Sequence, residues 1–381
     1  MRTSLGLVLL LFVELTFDVL CKITLLHLGG TISGAAESAR NTTHYKSGAI
    51  PIEDVIEDIK PTLGRIANVV PKQFMSIDSV DMTLPHILAI TQKIKEELEV
   101  SDGVVVSTGT SNLNELLVHL SLVIKSNKPI VATAAFKPHT AQDSDGRQNI
   151  IHATILASTP RWNEENNEVA MVIGDTIGLP WGLRKKDGYF DVGFGSSMGS
   201  IKNGKVSLRD VSECYTTEKI DINGYLPTDS PPEVTILTSY SGFDGRLVRL
   251  AAEDGVRAFV VTVYDDGYIP VKAADVIEKV IEEYNIPIVA ASYNPSIPVR
   301  HSRVKGVIPG LDLDPRQLRQ LLTGHVLNGS DSAMIAKSIQ RVSESMACRA
   351  RTKSDRAWVM NFIDRRVSAM KSPRTRRETG T

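Results

Sequence analysis

Residues 23–32 read Ile23-Thr24-Leu25-Leu26-His27-Leu28-Gly29-Gly30-Thr31-Ile32, an apolar run that stops on two glycines and a threonine. Residues 103–112 repeat the plan. Gly103-Val104-Val105-Val106-Ser107 leads into Thr108-Gly109-Thr110-Ser111-Asn112, and then Leu113, Leu116, Leu117, Leu120 and Ile124 follow at helical spacing. A short apolar run bounded by turn residues is the pattern of a strand buried on both faces. A strand that passes through a polar turn straight into a helix is half of a parallel crossover unit.

Working outward, the alternation continues. Pro85 opens a helical stretch with Ile87, Ile90, Ile94 and Leu98 on one face, and residues 129–135 and 168–173 read as strands. The stretch 216–232 is polar and holds Pro227, Pro231 and Pro232, as a linker does. Beyond it, residues 234–240, 258–264 and 286–291 read as strands and 271–284 as a helix. Asp314-Pro315 is a helix start, with Asp as N-cap and Pro in the first helical position. Strands and helices in this order predict two doubly wound α/β domains with mainly parallel sheets. The larger spans 22–220 and the smaller 233–346, joined by a linker over 221–232.

The chain has 381 residues, 42% hydrophobic and 23% charged, which is average for a globular protein and excludes a collagen or a multispanning membrane protein. Its net charge of −1 is an average over unlike pieces. Residues 349–381 hold ten Lys/Arg against three Asp/Glu, so this segment carries +7, and the body over 22–348 carries −7. An acidic body argues against a nucleic-acid partner.

Residues 347–381 form a basic tail. They read either as a mobile extension or as a segment that contacts a surface or membrane. At the other end, Leu5–Val13 is nine uncharged residues behind Arg2. That is far short of the roughly 20 a membrane span needs, but it fits the apolar core of a secretory signal. Val19 and Cys21 suit a cut before Lys22, which would make 1–21 a signal peptide and the protein secreted. If the segment is instead a buried strand or a misplaced start, a cytoplasmic location follows. Cys21, Cys214 and Cys348 are too few for a disulfide scaffold. Asn41-Thr42-Thr43 and Asn328-Gly329-Ser330 are glycosylation sequons that have meaning only on a secreted chain.

In open α/β sheets, ligands sit past the carboxyl ends of the strands. Gly29-Gly30-Thr31 and Thr108-Gly109-Thr110-Ser111 are both at such ends. Each offers a threonine hydroxyl beside glycines that allow close approach of a ligand. The bland reading is polar turn residues with a threonine cap. Other candidates fail on context. Gly195-Ser196-Ser197-Met198-Gly199 fits a nucleophile-elbow pattern, but Lys202-Asn203-Gly204-Lys205 follows, and that is hairpin chemistry rather than a helix start. Gly193-Phe194-Gly195 lacks the third glycine of a dinucleotide site. The eight histidines show no metal-ligand spacing, and His27, inside an apolar strand, reads as a satisfied core histidine.

The two threonine loops together resemble the bacterial-type asparaginase/glutaminase family, whose motifs are of the form T-G-G-T-I and T-H-G-T-D-T. Here they read Leu28-Gly29-Gly30-Thr31-Ile32 and Ser107-Thr108-Gly109-Thr110-Ser111-Asn112. Further matches follow in order: Ser79-Val80-Asp81-Met82, Lys128-Pro129, Ala135-Phe136-Lys137-Pro138-His139-Thr140, Asp145-Gly146 and Asn149, and Gly310 with Asp314-Pro315. The resemblance covers about 22–346.

It implies hydrolysis of a small amino-acid amide through an acyl-enzyme on threonine, with no metal and no cofactor. Thr31 would be the nucleophile and Tyr45 its proton acceptor, carried on a mobile lid. Thr110 would pair with Lys185. A threonine hydroxyl is a weak nucleophile until a neighbour accepts its proton, and a desolvated lysine can do so. Ser79 would bind the substrate carboxylate, and Gly30 with its neighbours would supply oxyanion donors. A homo-oligomer, tetramer or dimer, is implied, with an acid contributed across subunits. The region where that acid is expected, residues 292–306, instead holds Arg300, Arg303 and Lys305.

The chain departs from the family at the amine-binding end. Ser111 stands in place of an aspartate, Val80 in place of a frequent glutamine, Thr108 in place of a histidine, and Ser239 in place of a common asparagine. Two readings follow. Either the chain is an active amidohydrolase with a modified amine site, or it is a weak or inactive relative that binds a small ligand or partner. A lipid or peptide amide is a third and remoter substrate.

Overall fold

The structure is a computed structural model. It describes residues 20–352 except 161, 163–168, 194, 212–213, 215–217, 223–230 and 295–296, together with the backbone of 358–361. The signal-like residues 1–19, most of the proposed linker and most of the basic tail lie outside the described residues.

Two α/β units carry the described chain. In the first, β1 (Lys22–Gly29) lies between β2 (Asn68–Ile77) and β3 (Gly103–Ser107), and β4 (Ile130–Thr133) and β5 (Val169–Ile173) extend the sheet, all five parallel. After β5 the sheet turns antiparallel through β6 (Thr176–Gly178), β9 (Ser197–Lys202) and β10 (Lys205–Leu208). Between β6 and β9 a two-stranded hairpin is inserted, β7 (Arg184–Lys186) with β8 (Tyr189–Asp191). The second unit is a four-stranded parallel sheet, β11 (Val234–Thr238), β12 (Ala258–Val263), β13 (Ile288–Ser292) and β14 (Ile308–Pro309). The expected fold, two α/β domains with mainly parallel sheets and the larger one first, is what the chain adopts.

The buried strands explain why these residues pair as they do. Every residue of β3, β5, β12 and β13 is buried, so each strand needs apolar cover on both faces, which crossover helices provide. Leu26, Leu28, Val104 and Val106 pack to one side of the large sheet, and Ile23, Leu25 and Val105 to the other. The Leu84–Val100 helix starts with Pro85 in its first turn and buries Ile87, Ile90, Ile94 and Leu98. The Pro315–Asn328 helix starts at Asp314, whose carboxylate accepts the Arg316 amide, and it packs on the Leu113–Val123 helix of the first domain. Glu115 there meets Arg319 at 3.3 Å and Gln320 at 3.0 Å, so the two domains share a polar clasp.

Asn203 and Gly204, with φ of 50° and 71°, form the tight turn between β9 and β10. The Gly195–Gly199 stretch therefore enters a hairpin strand and is not a nucleophile elbow.

Two features of the C-terminal region were not expected. The last helix runs over Ser332–Arg351, beyond the proposed end of the domain at 346, and Cys348 on it forms a disulfide with Cys214. Cys21 is the free cysteine. The basic segment is not all extension either: β15 (Trp358–Asn361) pairs antiparallel with β10 as the outermost strand of the large sheet.

Candidate active site

The site is built at the carboxyl ends of β1 and β3. β1 ends at Gly29, and Gly29 and Gly30 have φ of 101° and 84°, a left-handed region open to glycine. The chain then winds into a single 3-10 turn, Thr31–Ser33. A Cβ on Gly30 would fall 2.3 Å from the Gly109 amide nitrogen, and one on Gly109 would fall 2.3 Å from Ser79 Oγ. The glycines thus let three segments meet: the turn after β1, the loop after β3, and the 3-10 turn Ser79–Asp81 after β2. Thr31 and Thr110 each follow one of the two touching glycines, which places both threonines at one locus.

Each threonine has a partner. Thr31 Oγ1 lies 2.8 Å from the Tyr45 hydroxyl. Lys185 Nζ donates to Thr110 Oγ1 at 2.8 Å. Both threonines are over nine-tenths buried. Burial pulls the Lys185 ammonium below its ordinary value, the Arg316 charge pushes the same way, and Asp78 opposes them. Lys185 reaches the site from β7, the inserted hairpin.

Tyr45 is held over Thr31 by several ties. Ala35 and Lys46 form a backbone bridge, the Gly48 amide donates to the Gly30 carbonyl at 3.0 Å, and Ser47 Oγ donates to Asp78 Oδ2 at 2.7 Å. Gly34 sits where a Cβ would strike the Tyr45 ring at 2.8 Å. The motif residues further along support the same turn. A Cβ on Gly146 would meet Ile32 at 2.8 Å, Thr140 Oγ1 accepts from the Ala36 amide, and Asp145 accepts from the amides of Phe136 and Lys137.

Ser79 is buried, and its Oγ accepts from the Ser111 amide at 3.1 Å. Ser111 is half-buried at this junction, whereas the side chain of Val80 is 64% exposed. Ser239 lies buried just past β11 in the smaller domain. The structure therefore brings together Thr31, Tyr45, Gly30, Thr110, Lys185, Ser79 and Ser111, with Val80 at the rim. Among the described residues, no group of three His, Cys, Asp or Glu side chains is placed to hold a metal ion, and no helix is long and apolar enough to cross a membrane.

Two participants escaped the reading of the sequence. Asp78 fastens the segment that carries Tyr45, and only its position beside Ser79 hinted at a role. Arg316 belongs to the other domain, and nothing local to it points at Lys185.

Known proteins resemble this chain over both of its domains. The family description "Asparaginase, N-terminal" matches residues 22–210, and "Glutaminase/Asparaginase C-terminal domain" matches 233–338. The chain is 29% identical over 324 residues to a probable L-asparaginase 4 of Schizosaccharomyces pombe, covering 82% of this chain and 87% of that one. It is 27% identical over 308 residues to a probable periplasmic L-asparaginase of Haemophilus influenzae, covering 79% and 87%. The crystal structure of a probable cytoplasmic L-asparaginase from Campylobacter jejuni superposes with a TM-score of 0.78 at 29% identity, covering 84% of this chain and 99% of that one.

Proposed function

From the premise that the chain belongs to the bacterial-type asparaginase/glutaminase family of amidohydrolases, we propose that it hydrolyses a linear side-chain amide through an acyl-enzyme on Thr31. The substrate class is a small amino-acid amide, with L-asparagine, giving L-aspartate and ammonia, as the reference compound. The observation that carries the reading is the pair of buried threonines, each hydrogen-bonded at 2.8 Å to a group able to take a proton.

In this reading Tyr45 accepts the Thr31 proton as Oγ1 attacks the amide carbon. The carbonyl oxygen takes up the negative charge facing backbone amides of the two loops. The C–N bond breaks as Tyr45 passes the proton taken from Thr31 to the departing nitrogen, which leaves as ammonia, and an ester remains on Thr31. A water molecule then loses a proton toward the Thr110–Lys185 pair and attacks the ester, releasing the acid and restoring the hydroxyl. Partial desolvation of Lys185 supports its share, because a lysine accepts a proton only in its neutral form. Ser79, with the amides near Ser111, receives the substrate carboxylate.

The amine end is where this chain differs. Ser111 and Val80 give a substrate ammonium no carboxylate. A charge-assisted hydrogen bond contributes about 1.5–3 kcal/mol, so asparagine turnover drops roughly tenfold to a few hundredfold from that change alone. The same substitution favours a second reading, a weak or inactive relative that binds a small ligand. The homo-oligomer, dimer or tetramer, belongs to the proposal as well. So does passage through the secretory pathway, which the Cys214–Cys348 disulfide supports, since such bonds persist in oxidising compartments.

The test is ammonia release from asparagine, glutamine and their N-acylated forms by the purified protein, beside Thr31→Ala. Release by the wild type and none by the variant carries the amidohydrolase. No release from any amide, together with no covalent adduct on Thr31 from an electrophilic amide analogue, leaves the ligand-binding reading.

A further inference from the structure

At the base of the two threonine loops sits a polar group that the reaction above does not use. His27 is fully buried in β1. Its Nδ1 lies 2.7 Å from Ser107 Oγ and its Nε2 2.8 Å from Ser33 Oγ, and both serines are also fully buried. The positions matter. In the β1–β3 register His27 stands opposite Ser107, the last residue of β3 and three before Thr110. Ser33 closes the 3-10 turn that begins with Thr31. One imidazole therefore touches the root of both loops.

Counting protons gives the chain a direction. The Ser33 hydroxyl also lies 3.4 Å from the Gly30 carbonyl and donates to it. It is then left to accept from Nε2–H, and Nδ1 is left to accept from the Ser107 hydroxyl. Every polar atom of the ring and of the two hydroxyls has a partner in this scheme, as groups this deeply buried require. Burial pushes the His27 imidazole down to about 4, so it stays neutral, and only a neutral ring can both donate and accept.

We infer that His27 is a positioning residue, a cross-brace from Ser107 through Ser33 to the Gly30 carbonyl that fixes the Thr31 turn against the Thr110 loop. It touches no substrate. It sets the distance between the two reacting threonines, and a misplacement of about 1 Å at a reacting group can cost on the order of a hundredfold in rate. The inference rests on Thr31 and Thr110 acting together as proposed above.

The test uses the full chain with His27→Leu, which removes both bonds, and His27→Gln, whose amide can donate and accept. Backbone amide exchange is followed across 30–34 and 108–111, and kcat and KM are measured on whichever amide the wild type turns over. For His27→Leu we expect exchange to rise about tenfold or more in both loops together. We also expect kcat to fall on the order of a hundredfold while KM moves less than about threefold. His27→Gln should recover most of the kcat. Exchange that rises in one loop only or in neither overturns the brace. So does a kcat per folded molecule within about threefold of wild type.

If His27→Leu does not fold, Ser33→Ala, Ser107→Ala and the double variant decide. A single brace predicts that the double loses about as much kcat as either single, and additive losses overturn it. Should the wild type turn over no amide, the amidohydrolase reading falls, and the exchange data on both loops still decide the brace.

Discussion

Lys185 donates to Thr110 across 75 positions of sequence, from a hairpin that lies outside the main sheet to a loop at its centre. That contact couples the inserted strands to the site and can be tested by itself. Lys185→Met keeps the stem of the side chain and removes the ammonium. The expected result is a loss of about 10²–10⁴ in kcat, the usual span for an acid–base group, with the fold intact by circular dichroism. A loss of less than about tenfold would remove Lys185 from the reaction.

Ser111→Asp returns a carboxylate to the amine end. On asparagine it should raise kcat/KM by roughly ten- to a few hundredfold, and on N-acylated asparagine it should leave the rate unchanged or lower it. Steady-state ammonia assays on both substrates check this. Equal effects on the two would mean that Ser111 does not face the substrate amine.

Ser47 and Asp78 close the segment that carries Tyr45. Asp78→Asn weakens a charge-assisted bond worth about 1.5–3 kcal/mol, so formation of the Thr31 adduct should slow about tenfold or more. Ser47→Ala should give a loss of the same size, and the double variant no more than either single. Rates of covalent labelling at Thr31, followed by mass spectrometry, measure it.

Stability should fall on mild acidification. His27, His119 and His325 are all pushed by burial from 6.5 to about 4, with Lys95 adding to the effect at His119 and Glu218 opposing it at His325. The unfolded chain binds protons on these groups first. Their contribution is therefore full above pH 6.5 and is lost as pH drops through the window toward 4. Each histidine costs at most about 1.4 kcal/mol per pH unit in that window. Denaturant melts at pH 7.5, 6, 5 and 4.5 should show a steepening decline, and His325→Gln should flatten it.

The Cys214–Cys348 bond closes a loop of 134 residues. Replacing both cysteines by serine should destabilise the protein by about 2–4 kcal/mol. In the folded, unreduced full chain a thiol reagent should find Cys21 alone, and in a chain cut before Lys22 it should find no thiol. Reagent reacting with Cys214 or Cys348 would mean that the bond does not form.

Much of the architecture could be read from the chain because its strands are buried on both faces. Val104, Val105 and Val106 have one reading only, and Asp314-Pro315 announces a helix in its first two residues. The loops bearing Thr31 and Thr110 were equally plain, since Gly-Gly-Thr and Thr-Gly-Thr after apolar runs mark strand ends. Tyr45 and Lys185 came through family resemblance and not through any local pattern, for no spacing rule links residue 45 to 31 or 185 to 110. Long-range pairings were invisible. His27 read correctly as a satisfied core residue, but its partners Ser33 and Ser107 depend on the register of β1 against β3. Cys214 and Cys348 meet only because the last helix returns to the first domain. Trp358–Asn361 was hidden by the charges around it, although a strand needs only a backbone to pair with.

That last strand has a practical meaning. The C-terminal family match ends at 338, so β15 lies beyond it. It occupies the outer hydrogen-bonding row of β10, which would otherwise be a bare sheet edge. Bare edges recruit other chains and lead to aggregation. A protein trimmed to its homologous boundaries would lose β15 and end its large sheet on Lys205–Leu208 instead. The stretch that looks dispensable by ancestry decides which strand ends the sheet.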